Sequence, residues 1–123
     1  MAPDEIKREF DAARLKHVVF KSKLRSFLYG SRTAETPIRD AHVCSFGQWL
    51  EQVGLPRFGY LPNMQHLDRL HTRMHTVAGQ LMDLHGTGET DKAIAGLSQI
   101  NAMATELLSL LDTLEAELRT EGH

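Results

Sequence analysis

The stretch Leu70-His71-Thr72-Arg73-Met74-His75-Thr76-Val77 holds two histidines four residues apart. On a helix such residues sit one above the other on a single face, so His71 and His75 offer two imidazoles to one point in space, a bidentate clamp for a metal. The flanking pattern is helical. Met64, Leu67, Met74, Ala78 and Leu81 recur at steps of three and four from Pro62 to His85, with Pro62 suited to a first turn and Gly86 to a stop. His71 fills the missing step of that apolar series.

A second helix upstream repeats the anomaly. From Asp4 to Tyr29 the residues Ile6, Phe10, Ala13, Phe20, Leu24 and Phe27 mark one face, and His17 stands where the next large apolar side chain belongs. Pro3, Asp4 and Glu5 suit the helix start, and Gly30 and Ser31 its end. A core-facing imidazole needs a partner, either a neighbouring polar group or a metal. Between the two helices lies the only cysteine, in Cys44-Ser45-Phe46-Gly47-Gln48-Trp49. Ser45 and Gln48 have capping-box spacing, which predicts a short helix from Phe46 that ends before Gly54, with Pro56 beyond. Cys44 then precedes a helix N-terminus, whose positive end favours a thiolate. Phe46 and Trp49 read as core anchors, and Gly47 as a point where the backbone approaches the long helices closely. Three imidazoles and one thiolate, from His17, Cys44, His71 and His75, complete a tetrahedral zinc site. His42 ranks below His17 as a ligand, and His66 and His85 fall off the seam as surface residues.

At these residues the chain resembles the chemoreceptor zinc-binding domain of bacterial cytoplasmic sensors, found on chemoreceptors and on some diguanylate cyclases. That pattern is a histidine on the first long helix, then Cys-x-Phe/Leu-Gly-x-Trp, then His-x-x-x-His. It is matched here by His17 followed by Phe20, by Cys44, Phe46, Gly47 and Trp49, and by His71 and His75, over roughly Leu15 to Leu84. The resemblance implies zinc as cofactor, sensing of zinc or of cysteine oxidation, a homodimer, and a partner of the chemoreceptor or diguanylate-cyclase signalling type.

Composition sets outer bounds. With 123 residues, one domain over 1–123 suffices. Lys and Arg number 14 against 16 Asp and Glu, and no basic run with interleaved aromatics tracks a phosphate backbone, so no nucleic-acid partner is expected. No apolar run approaches the roughly 20 residues that span a bilayer, the N-terminus has no signal core, and a lone cysteine suits a reducing compartment. A cytoplasmic protein with no membrane insertion is expected. Ser31 to Val43 reads as a loop with room for one helical turn. The last helix opens at Glu89 or Thr90, and its seam of Ala93, Leu97, Ile100, Ala104, Leu107, Leu111, Leu114 and Leu118 is apolar throughout. It carries no ligand; Asn101 is placed beside the seam as an acceptor for a ligand histidine's second N–H. The architecture expected is all-α, three long helices plus a short one in a four-helix-bundle-like arrangement, with one face left for a second copy.

Four protein ligands close a zinc site to water, which disfavours hydrolysis. Thr72 stands where a metalloprotease of the His-Glu-x-x-His type has its glutamate base, so no enzyme is expected. Two switches remain: zinc occupancy itself, and oxidation of Cys44 to a sulfenic acid, which releases the sulfur and frees Ser31 to Val53. The alternatives are zinc as a staple of the bundle, and a di-metal or haem carrier; the carrier lacks a Glu-x-x-His at His17, His71 or His75. No output domain is read in the sequence, so the chain is expected either to act through a partner protein or to be a sensory unit taken from a larger one.

Overall fold

The computed structural model describes residues 2–121; Met1, Gly122 and His123 of the expected 1–123 unit lie outside it. Three long helices, α1 (Pro3–Leu28), α5 (Pro62–Gly86) and α7 (Leu97–Glu121), stand side by side. Between α1 and α5 the chain runs through a string of short helices, α2 (Thr36–Arg39), α3 (Ser45–Trp49), a π-helical segment (Leu50–Gly54) and α4 (Leu55–Phe58). No strand occurs among the described residues, and the all-α bundle expected from periodicity is the fold observed.

Directions follow from contacts. Phe20 meets His75 and Phe27 meets His85, so α1 and α5 are parallel. Arg14 pairs with Asp112 and Glu115, and Asn63 and His66 reach Glu117 and Glu106, so α7 is antiparallel to both. The short helices descend against α1, from Ile38 beside His75 to Trp49 beside Glu9 and Phe58 beside Phe10. They supply the fourth edge of the bundle.

The seams read from sequence bury with two exceptions: Phe27 and Leu97 are only half-buried, and Leu28 takes the core place expected of Phe27. Ile6, Phe10, Ala13, Phe20 and Leu24 of α1, Met64, Leu67, Met74, Ala78 and Leu81 of α5, and Ile100, Leu107, Leu111 and Leu114 of α7 are all buried. Each buried leucine or phenylalanine contributes roughly 1.5–3 kcal/mol through apolar surface removed from water.

Two expectations fail at helix ends, each for a physical reason. The short helix does not begin with a Ser45–Gln48 capping box: Cys44 itself is the N-cap, with extended backbone, and its carbonyl accepts the Gln48 N–H at 2.9 Å. Nor does the helical path stop before Gly54, because the π segment shifts the register and the Leu55 N–H bonds to the Leu50 carbonyl. Pro56, lacking an N–H, then sits in the first turn of α4, where none is required. The last helix is also not continuous. A short α6 (Thr90–Ala95) ends in a turn at Gly96, which passes close to α5: a Cβ there would lie 2.3 Å from Leu81 Cδ2 at the tip of that side chain.

By length and composition alone, Thr90–Thr120 is long and apolar enough to cross a membrane. The sequence expectation that no apolar run approaches that length does not hold for this helix, and 28 % of its most apolar stretch is buried.

Candidate metal centre

Cys44, His71 and His75 are buried together halfway along the bundle, with one ligating atom of each within 4.8 Å of the others. The loop before Cys44 is built to deliver it. Asp40 accepts the His42 N–H on its carboxylate at 2.9 Å and the Val43 and Cys44 N–H groups on its carbonyl at 3.2 Å, a side-chain-braced turn that aims the following residue inward. Gly47 admits the loop: a Cβ there would lie 1.7 Å from the Ala41 carbonyl oxygen and 3.1 Å from His71 Cε1. The close approach expected at Gly47 is thus to its own preceding loop as well as to α5.

The histidines are oriented by what surrounds them. His75 Nδ1 lies 2.5 Å from the Ile38 carbonyl oxygen, an acceptor only, so Nδ1 carries the proton and Nε2 is left with its lone pair. That lone pair faces His71 Nε2 at 3.0 Å. Phe20 packs on His75 with ring centroids 4.5 Å apart, and Phe46 packs on His71 at 5.0 Å and on His17 at 6.0 Å. The donor group is thereby walled by aromatic rings.

His17 is buried as its place in the seam predicts, only 2 % exposed. The structure does not place it in the three-residue group, and its Nε2 is buried with no hydrogen-bond partner. An unpaired polar atom in a core costs about 1–3 kcal/mol. Burial holds His17 down to about 4, with Lys21 adding to the effect. Burial likewise pushes His71 down to about 3, helped by the neighbouring His75, and lowers His75 against the opposing pull of the Ile38 carbonyl. All three imidazoles are therefore neutral near pH 7, the form that ligates metals.

Three further histidines lie among the described residues, outside the donor group, with His66 and His85 half-buried rather than fully at the surface. His42 is exposed and pairs with Glu51, which raises its affinity for a proton; His66 pairs with Glu106 at 3.1 Å, and His85 packs on Phe27. Asn101 is displaced from its expected role: it is exposed on the α1/α7 side, and the acceptor for the His75 Nδ1–H is the Ile38 carbonyl. Sequence reasoning missed Ile38 because a backbone carbonyl carries no side-chain signature. Asp40 was missed as well, although an Asp directly before a turn is a recognisable turn signal.

The donor set fits zinc. Zn–N and Zn–S bonds imply donor separations of roughly 3.3–3.6 Å, so a group already within 4.8 Å needs only small side-chain shifts. Sulfur with imidazole nitrogen suits that ion better than a hard cation, and His17 Nε2 is a buried nitrogen left without a hydrogen-bond partner.

The fold and its buried donors define a helical-bundle metal-binding domain. The chain belongs to the chemoreceptor zinc-binding domain family, whose profile matches residues 17–82, more than half of its length. No curated protein and no solved structure matches it.

Proposed function

We propose that this chain is a non-catalytic sensory module, a single domain over residues 1–123, that reports zinc availability or the oxidation state of Cys44 to a signalling partner in the cytoplasm. The ligands are His17, Cys44, His71 and His75, and the module works as a homodimer. The observation that carries the reading is the buried Cys44/His71/His75 group with the partnerless His17 Nε2 in the same layer of the core. A bound zinc ion would supply positive charge that favours the thiolate and a cross-link between α1, α3 and α5, with no open position for water.

The chain's own residues turn that cross-link into a conformational signal. Cys44 belongs to the short-helix segment, His17 to α1, and His71 and His75 to α5, so the donors sit on three separate elements. Ile38 ties the start of the segment to His75, and the Trp49 indole N–H, 3.0 Å from a Glu9 carboxylate oxygen, ties its middle to the N-terminal half of α1. Loss of the sulfur from the donor set loosens the short-helix segment first. A narrow opening lined by Val19, Phe20, Lys23, Pro37 and Ser45 leads to Cys44, which suits a small oxidant such as a peroxide. The thiolate sulfur would attack one peroxide oxygen, forming an S–O bond as the O–O bond breaks, to give a sulfenic acid with hydroxide leaving.

Metal content measured by mass spectrometry on protein purified without a histidine tag tests the ligand set. One zinc per chain is expected for the parent, with loss in Cys44→Ala and His17→Ala. Full occupancy in His17→Ala removes α1 from the site. For the redox branch, Cys44→Ser should abolish zinc release by peroxide while the three histidines retain weaker binding; an undiminished response rejects that branch.

A further inference from the structure

Two adjoining concavities of about 390 and 310 Å³ open along the groove between α1 and α7, and both are lined by Lys21 and Arg25. Volumes of roughly 300–1,000 Å³ are those of small-molecule sites. The smaller concavity is mainly apolar, walled by Val18 of α1 and by Ala104 and Leu108 of α7. Val18 is 54 % exposed there, a branched apolar side chain that the bundle itself leaves in water. The larger concavity adds the polar side chains of Ser98 and Asn101.

The two shared cations are not neutralised by the fold. Among the described residues Lys21 enters no ion pair or hydrogen bond, and Arg25 only lies over the Tyr29 ring at 5.7 Å. Their surroundings supply no acid. α1 has none from Ala12 to Leu28, and the facing stretch of α7, Leu97 to Thr105, has no charged residue at all. Asp91 of α6, the third element that lines the groove, pairs with neither. Further along the same groove the situation is reversed: Arg14 is held by Asp112 and Glu115, each at 2.8 Å.

A pair of free cations beside an apolar wall is complementary to a molecule with one anionic end and one apolar end. We propose that the groove binds a small amphipathic anion, its carboxylate or phosphate head held by Lys21 and Arg25 and its apolar body lying over Val18, Ala104 and Leu108. Arg25 suits the head because a planar guanidinium meets two oxygens at once, and Lys21, one turn before it on the same face, adds a point charge. Covering Val18 and the half-buried Leu108 removes apolar surface from water, which holds the body of the molecule. The site goes beyond zinc sensing and does not rest on it, since Lys21 and Arg25 lie outside the metal donor set. His17 lines the smaller concavity, so a molecule seated there is a second input placed against the helix that carries that imidazole.

Isothermal titration of the zinc-loaded full chain with decanoate and with decyl phosphate, both below their micelle thresholds, tests this. At least one of the two should bind, and decyltrimethylammonium, with the same tail and the opposite charge, should bind roughly tenfold or more weakly. Lys21→Glu/Arg25→Glu should reverse that order, which a loss of packing would not do. Val18→Asp, at an exposed position that leaves the core alone, should weaken the anion roughly tenfold. Zinc content of the same samples reports on the metal centre separately. Failure of both anions to bind overturns the proposal, and so does equal affinity for anion and cation or binding that survives both variants, which is detergent-like association. Binding to phosphatidylglycerol vesicles without binding of the free anions gives the groove to a membrane surface, and anion affinity that falls as chain concentration rises gives it to a second copy; either result overturns the small-molecule site.

Discussion

Gly47 is the single residue at which the site has least room. A methyl group 1.7 Å from the Ala41 carbonyl cannot be absorbed by a side-chain rotation, because the obstacle is backbone. Gly47→Ala must push the 40–44 turn away from α5, and with it Cys44. The expected cost is about 2 kcal/mol or more, read as a lower urea midpoint, together with weaker zinc binding; an unchanged midpoint would mean the loop moves freely. The neutral histidines set a second expectation, for protein stripped of metal. His17 and His71 titrate at about 4 and about 3 when folded, against roughly 6.5 in an unfolded chain. Below pH 6.5 the unfolded state therefore takes up protons that the folded state refuses, and stability falls as pH drops toward 4, by about 1.4 kcal/mol per pH unit for each histidine. Urea midpoints between pH 7 and 4.5 should show this slope, and His17→Phe should remove its share. At this scale the gaps in two apolar seams made His17 and His71 legible in sequence. The Ile38 carbonyl was not, since nothing but a folded loop brings residue 38 to residue 75.

Among the elements, the long helices were readable because each buries one stripe, and a stripe leaves a period in the sequence. Pro3, Pro62 and the acidic first turn of α1 fixed the starts of α1 and α5 within a residue, whereas α7 begins at Leu97, seven residues beyond Thr90. The segment from Ser31 to Tyr60 was less readable because its helices, four or five residues each, are too short for an apolar stripe to repeat. A π register shift has no compositional mark either, and Pro56, read from sequence as lying beyond the helix, is what the shift accommodates. The contacts that hold this segment differ in worth. Arg39 pairs with Glu35 and Asp83 at 3.0 Å, yet all three side chains are exposed, so Arg39→Ala should cost less than about 1 kcal/mol. Ile38 is wholly buried one residue away, and Ile38→Ala should cost about 2–4 kcal/mol. It should also lower zinc affinity, because the carbonyl that orients His75 shifts with the emptied pocket. Chemical denaturation with zinc titration on both variants separates the two contributions, and equal effects would contradict the ranking.

For the molecule as a whole, the question is whether zinc makes the bundle or adjusts it. Small metal-folded domains lack a core of their own and unfold when the ion is removed. Here α1, α5 and α7 bury phenylalanine, leucine, isoleucine and methionine from Ile6 to Leu118, and only the short-helix segment depends on Cys44 for a tie across the donor layer. Removal of zinc by a chelator should therefore leave far-UV circular dichroism nearly unchanged. The melting midpoint should fall by roughly 15 °C, the shift expected when a ligand present at about a thousand times its dissociation constant is withdrawn. Hydrogen exchange should localise the change, with amides of residues 36–58 losing protection while the buried seams of α5 and α7 keep theirs. A staple gives the opposite pattern, in which helicity and protection collapse together across the chain. If exchange instead quickens equally in α7 and in the short helices, the signal does not begin in the segment that carries Cys44, and the route from thiolate to bundle geometry argued above is wrong.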